Sequence, residues 1–196
     1  MIAIIDYKAG NIASVKNALE RLGQACVVTS DPKEIVSARG VIFPGQGRAG
    51  TALAELQKTG IDALIPKLAK PFLGICLGMQ ILASYSAEDE TKCLRVFQGE
   101  CRAFPQTLKT PHLGWNKVFL LKDSPLAVGI QNGSYFYFAH SYYVDAPKKY
   151  VVGKTSYGFE FSSIIQKDNF FGVQFHPEKS GDEGLRVLNN FCGLCS

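Results

Sequence analysis

Long apolar runs are missing from this 196-residue chain: the longest unbroken stretches reach about half a dozen residues, too few to cross a bilayer. No membrane association is therefore expected. The opening Met1-Ile2-Ala3-Ile4-Ile5-Asp6 has no basic n-region and no cleavage-type site, so it predicts a first strand in a cytosolic protein, not a signal peptide. Runs of one charge are equally scarce. The 21 basic and 17 acidic residues leave a net charge of +4, and Lys148-Lys149 is the only adjacent basic pair. Without zinc-finger spacing, an arginine run or an RNP-like aromatic motif, the chain is not expected to bind nucleic acid. The six cysteines, Cys26, Cys76, Cys93, Cys101, Cys192 and Cys195, are spaced irregularly, which predicts reduced thiols. Cys192-Gly-Leu-Cys195 lacks a second ligand pair for zinc and reads as a helix end. No metal or cofactor is implied.

What is present is ordinary globular material: 46% apolar, 19% charged and 11% aromatic. The length predicts one domain over residues 1–196. In the first half, short apolar runs alternate with helical periodicity. Strands are expected at Ile2–Ile5, Ala25–Thr29, Gly40–Phe43 and Phe72–Ile75. Between them, helical patterns run through Ile12, Val15, Leu19 and Leu22, from Pro32, at Ala52–Leu56 and Ile61–Leu68, and at Met79–Tyr85. The second half carries short β-prone runs at Val118–Leu121, Tyr135–Phe138, Tyr150–Lys154, Phe161–Ile165 and Phe170–Phe175. A turn is expected at Lys167-Asp168-Asn169, and a closing helix at Asp182–Phe191. The reading is α/β: a single flavodoxin-like domain, its mostly parallel sheet flanked by helices, with an antiparallel extension in the second half.

Three segments carry chemistry. Gly74-Ile75-Cys76-Leu77-Gly78 runs from strand into helix with a small residue two positions either side of a cysteine, the pattern of a nucleophile elbow. A helix N-terminus favours a thiolate, the attacking species, and the Leu77 amide is placed as an oxyanion donor. A buried core cysteine fits the same pentapeptide. In Phe175-His176-Pro177-Glu178, an extended chain puts residues i and i+2 on one side, so Glu178 can orient His176. Pro44-Gly45-Gln46-Gly47 follows the third strand, at the edge where parallel sheets gather ligands, and a Gln46 or Gly47 peptide there can supply a second oxyanion donor. A plain structural turn fits it too. Taken together, the first two segments compose a Cys-His-Glu constellation for nucleophilic attack on a carbonyl.

The elbow G-I-C-L-G-M-Q, the loop P-G-x-G and the late Q-F-H-P-E-K-S-G resemble the triad-type class I glutamine amidotransferases. The resemblance runs nearly end to end. It includes Ile5-Asp6-Tyr7 with Gly10-Asn11, His112-Leu113-Gly114-Trp115-Asn116, and Tyr135-Phe136-Tyr137-Phe138 with His140-Ser141-Tyr142. It implies a glutamyl thioester on Cys76, with His176 as general acid/base and Glu178 as its orienter. It implies glutamine held by Gly45 to Gly47, Gln80, Glu88 and backbone around His140, Ser141 and Tyr142. It further implies a heterodimer with a separate (β/α)8-barrel synthase of histidine biosynthesis, which takes the ammonia. Lys179, Ser180, Trp115, Asn116 and Tyr137 would face that partner. The chain departs from the family pattern at Lys8 and Arg95, where glycine is usual, at Cys93 in the same segment, and at Gln46, where valine is usual. These departures leave open another synthase, such as one of an aminosugar pathway. A non-catalytic partner-binding domain is a further reading, and the intact Cys76, His176 and Glu178 speak against it.

Overall fold

The computed structural model describes residues 1–8 and 11–195; Gly10, one of the family-like positions, lies outside them. Its first half is β1 (Ile2–Ile5), α1 (Ile12–Arg21), β2 (Cys26–Thr29), α2 (Pro32–Ser37), β3 (Gly40–Phe43), α3 (Ala49–Thr59), α4 (Ile61–Leu64), β4 (Phe72–Ile75) and α5 (Leu77–Gln80). Every residue of β1, β3 and β4 is buried, as expected of continuous apolar strands covered on both faces. The second half adds β5 (Tyr85–Ser86), β6 (Thr91–Lys92), β7 (Glu100–Ala103), β8 (His112–Leu120), β9 (Ser134–His140), β10 (Tyr142–Asp145), β11 (Val151–Tyr157), β12 (Phe159–Lys167), β13 (Phe170–Val173) and α6 (Gly181–Leu194).

Strands β2, β1, β3, β4 and β13 lie side by side and parallel. Beyond β13 the sheet turns antiparallel through β12, which pairs with both β10 and β11. Alternate residues of the parallel strands feed two cores. Ile4, Ile42 and Leu73 pack with α1 and α6, whereas Ile5, Phe43 and Phe72 pack with α2, α3 and α4. This topology places the site: β4 sits between β3 and β13, with Phe43 opposite Gly74 and Val173 opposite Ile75. The chain therefore leaves all three strands at one edge, into Gly45, Cys76 and His176.

Several boundaries differ from the sequence expectation, each for a local reason. The helix expected at Met79–Tyr85 is the four-residue α5, because the carbonyls of Ile81, Leu82 and Ala83 accept from Leu94, Phe97 and Arg95 rather than from a following helical turn. Tyr85 then enters a strand. The Ile61–Leu68 helix breaks after Leu64 into a 3-10 turn at Ile65–Lys67, where Pro66 has no N–H to continue the ladder. Short β7 and β10, which pair with one another, were not expected. The turn at Lys167–Asn169 does join two antiparallel strands, β12 and β13, with Asp168 at φ 52°. Cys192 and Cys195 lie at the end of α6, and all six cysteines are free thiols. Lys8 and Arg95 hold φ of 61° and 55°. A side chain in that left-handed region meets a Cβ clash that costs about 1 kcal/mol at each position.

Candidate active site

Cys76 sits between β4 and α5 with φ 48° and ψ −102°, a conformation a non-glycine residue holds only when its surroundings enforce it. They do so here through backbone bonds. The Cys76 N–H donates to Val173 O at 2.7 Å, and its carbonyl accepts from both Met79 and Gln80. Glycine is required alongside: a Cβ on Gly74 would lie 2.4 Å from the Gly78 carbonyl, and one on Gly45 only 1.8 Å from Ile75 O. The Gly45 to Gly47 loop therefore packs onto the elbow itself. As first residue of α5, Leu77 has an N–H with no intrahelical acceptor.

His176 follows β13 and is 1% exposed. Its Nδ1 meets Glu178 Oε1 at 2.9 Å, and the Glu178 side chain is itself 1% exposed. The pair meets by a route other than the extended one expected. Glu178 lies in a single 3-10 turn, Pro177–Lys179, which folds the carboxylate back onto the ring. His176 Nε2 is buried with no hydrogen-bond partner. Burial alone pulls this imidazole down. The Cys76 sulfur, and after it the Glu178 carboxylate, outweigh burial and push it up to about 10.

The sulfur borders a cavity of about 240 Å³ lined by Gly45, Gln46, Gly47, Cys76, Leu77, Gln80, Glu88, Pro111, Ala139, His140, Ser141 and Tyr142. Every residue expected to hold substrate is thus gathered around one small hole, with room for a molecule of amino-acid size. A wider surface depression of about 690 Å³ between Leu120 and Asn132 is lined by neither cysteine nor histidine, whereas the smaller one borders the Cys76 sulfur and His140. Among the described residues no group of three His, Cys, Asp or Glu side chains is placed to hold a metal.

The comparisons with known proteins agree with this geometry. Residues 3–194 match the family model described as glutamine amidotransferase class-I. The chain belongs to that family. It is 50% identical over 195 residues to "Imidazole glycerol phosphate synthase subunit HisH" of Moorella thermoacetica, covering 97% of this chain and 93% of that one. It is 46% identical over 207 residues to the protein of the same name from Nitratidesulfovibrio vulgaris (strain DP4), covering 100% and 97%. Among solved structures, one titled "Crystal structure of glutamine amidotransferase" superposes with a TM-score of 0.79 at 17% identity, covering 100% of this chain and 99% of that one, a likeness of fold.

Some expected positions behave differently in this member of the family. The Gln46 N–H is not directed at the cavity: it donates to the Tyr7 hydroxyl at 3.0 Å, and that hydroxyl donates to Gln46 O at 2.5 Å. Ser180 was expected on a partner surface, but it is 2% exposed. Its hydroxyl donates to His176 O at 2.6 Å and accepts from Tyr137 N at 3.0 Å, so it ties the His176 loop to β9. Lys179 is exposed, its Nζ 5.9 Å from the Tyr137 ring centre, and Trp115 is 55% exposed beside the same ring. Glu88 uses one oxygen to cap α3, accepting from Ala49 N at 2.7 Å.

Three residues were missed. Gln174 is fully buried and donates from Nε2 to the Cys76 sulfur at 3.5 Å. It stands in the Q-F-H-P-E-K-S-G segment that carries the resemblance, two residues before His176, but was given no role. Asn11 Nδ2 approaches Glu178 Oε1 at 3.4 Å, and Tyr7 holds the Gln46 peptide.

Two further histidines face this region, and burial lowers both: His112 to about 4 and His140 to about 3. Both are neutral in the folded protein at pH 7, while the unfolded chain binds protons on them as pH falls through about 6.5. Stability from these rings is thus complete above that pH and lost below it. From pH 7 to pH 5 they should remove on the order of 3 kcal/mol of unfolding free energy. Urea titrations at the two pH values measure this, and His140→Phe should flatten the dependence. Equal stability at both values would refute the assignment.

Proposed function

We propose that this chain is the glutaminase subunit of imidazole glycerol phosphate synthase, working in the cytoplasm as one domain over residues 1–196. The observation that carries the reading is a strained, elbow-held cysteine beside a buried His176–Glu178 pair at 2.9 Å, opening on a cavity of amino-acid size. Relatives named for that synthase subunit at 46–50% identity and near-full coverage support the pathway.

In this reading Cys76 Sγ attacks the side-chain carbonyl carbon of glutamine, and the oxyanion is met by the Leu77 N–H and by the Gln46 or Gly47 peptide. His176 gives its proton to the departing nitrogen, so ammonia leaves and a thioester remains. Water then attacks the thioester, with His176 taking the proton, and glutamate is released with the thiol restored. Glu178 keeps the imidazole oriented and charged through both steps. Gly45, Gly47, Gln80, Glu88 and the backbone at His140, Ser141 and Tyr142 hold the substrate. Trp115, Asn116, Tyr137 and Lys179 form the face for a (β/α)8-barrel synthase, which consumes the ammonia. No metal or cofactor enters any step.

The test is reconstitution with that barrel, glutamine and the ribulosyl substrate. Glutamate and imidazole glycerol phosphate should form one for one. Because the Gln46 N–H is turned to Tyr7, the chain alone should hydrolyse glutamine at least about tenfold more slowly than the loaded complex. Equal turnover with and without the partner, or product formed from ammonium salt but never from glutamine, would overturn the reading.

A further inference from the structure

A chain of hydrogen bonds starts on the partially buried β8 residue Asn116 and ends at the cysteine sulfur. Asn116 Nδ2 lies 3.2 Å from His112 Nε2 and 2.9 Å from Ser156 O. His112 Nδ1 lies 3.0 Å from His140 Nε2, and His140 Nδ1 lies 2.7 Å from Tyr142 O. The Tyr142 carbonyl also accepts from Gln80 Nε2 at 3.0 Å. That amide is 3.3 Å from Gln174 Oε1, and Gln174 reaches the sulfur.

Only one arrangement of protons satisfies the first half of this chain. A carbonyl can only accept, so His140 carries its proton on Nδ1 and accepts at Nε2. His112 must then donate from Nδ1, which leaves its Nε2 to accept from Asn116 Nδ2. The Asn116 orientation agrees, since the same Nδ2 faces the Ser156 carbonyl while Oδ1 accepts from Lys117 N. Rings of Phe104, Phe138 and Phe161 surround both imidazoles, and burial keeps them neutral.

We propose that Asn116, His112 and His140 form a one-way hydrogen-bond chain that aims the Tyr142 carbonyl, and through it the Gln80 amide, at the glutamine cavity. These are positioning residues, acting from the β8 face on substrate binding rather than on bond breaking. The assignment deepens the glutaminase reading and rests on it. It also gives the β8 face a path to the pocket: whatever reverses the donor at Asn116 must reverse both imidazoles and set an unprotonated nitrogen against Tyr142 O.

The chain has only three histidines, so nitrogen-15 spectra of histidine-labelled protein resolve each ring. His112 and His140 should both be protonated on Nδ1 alone, unchanged from pH 5.5 to pH 8. Asn116→Asp, which can only accept, should move the His112 proton to Nε2. The same change should weaken glutamine binding to the Cys76→Ala chain, read by calorimetry, by about tenfold. Either wild-type ring protonated on Nε2, or a reversed His112 with unaltered glutamine affinity, would overturn the relay. A Cys76→Ala chain with wild-type Asn116 that binds no glutamine would instead overturn the glutaminase reading, while the tautomers still judge the relay.

Discussion

Cys76→Ala should abolish glutamine-dependent synthesis by the proposed reconstituted complex and leave ammonium-dependent synthesis at high pH unchanged. Among the described residues the sulfur is the only thiol bordering the cavity, and nothing else there can form a thioester. The loss should reach about 10⁴-fold or more, since removing a nucleophile from a concerted set costs nearly as much as removing the set. Folding should survive. Alanine is smaller than cysteine, and the bonds that hold the elbow, Cys76 N to Val173 O and Cys76 O to Met79 N, belong to the backbone. Alanine keeps the same strained φ of 48° and loses only the contacts of the buried sulfur, so a modest fall in melting temperature is expected. Serine in the same place retains the shape but is a far weaker nucleophile beside this imidazole, and it should be nearly as inactive. Loss of both glutamine- and ammonium-dependent synthesis would show that Cys76 maintains the fold or the complex and is not the nucleophile.

Glu178→Gln carries the second large effect. The amide keeps the shape of the carboxylate but removes the charge 2.9 Å from His176 Nδ1. Glutaminase turnover should fall by about 10²–10³-fold, less than in Cys76→Ala because the sulfur, the oxyanion donors and the binding groups remain. The pH profile separates orientation from charge. In the wild-type protein the imidazolium persists up to about 10, so activity should fall on the alkaline side only as pH approaches that value. Without the carboxylate, burial has less to oppose it and the alkaline limb should move to lower pH. The sign for stability follows. A raised histidine stabilises most below the unfolded value of about 6.5 and loses that contribution as pH climbs to about 10, so Glu178→Gln should also flatten the alkaline stability decline. Wild-type turnover across the pH range would remove Glu178 from the machinery and leave a Cys-His dyad.

Where chemistry depends on neighbours along the chain, the sequence by itself determined the outcome. The elbow was legible because glycines two residues either side of Cys76 are a local requirement: a Cβ on Gly74 strikes the Gly78 carbonyl within the same turn. His176 and Glu178 were legible because only Pro177 stands between them, although the 3-10 turn that joins them was not. The buried strands β1, β3 and β4 announced themselves as unbroken apolar runs. Strand β7, Glu100–Ala103, with three of its four residues exposed, gave no such pattern and exists because β10 pairs with it.

Only the tertiary structure decided how the site is supported. Gln174 meets Cys76 across 98 residues of chain, Tyr7 meets Gln46 across 39, and Asn11 meets Glu178 across 167. No periodicity encodes such pairs. They follow from sheet order, which sets β4 between β3 and β13, and from packing that turns each loop toward the same edge. Ser180 shows the limit most clearly. Its place in an H-P-E-K-S-G run suggested a surface for a partner, but Ser180 follows the Pro177–Lys179 turn and faces inward, where its hydroxyl joins the Lys179 N–H on the His176 carbonyl and accepts from Tyr137 N across 43 residues of chain.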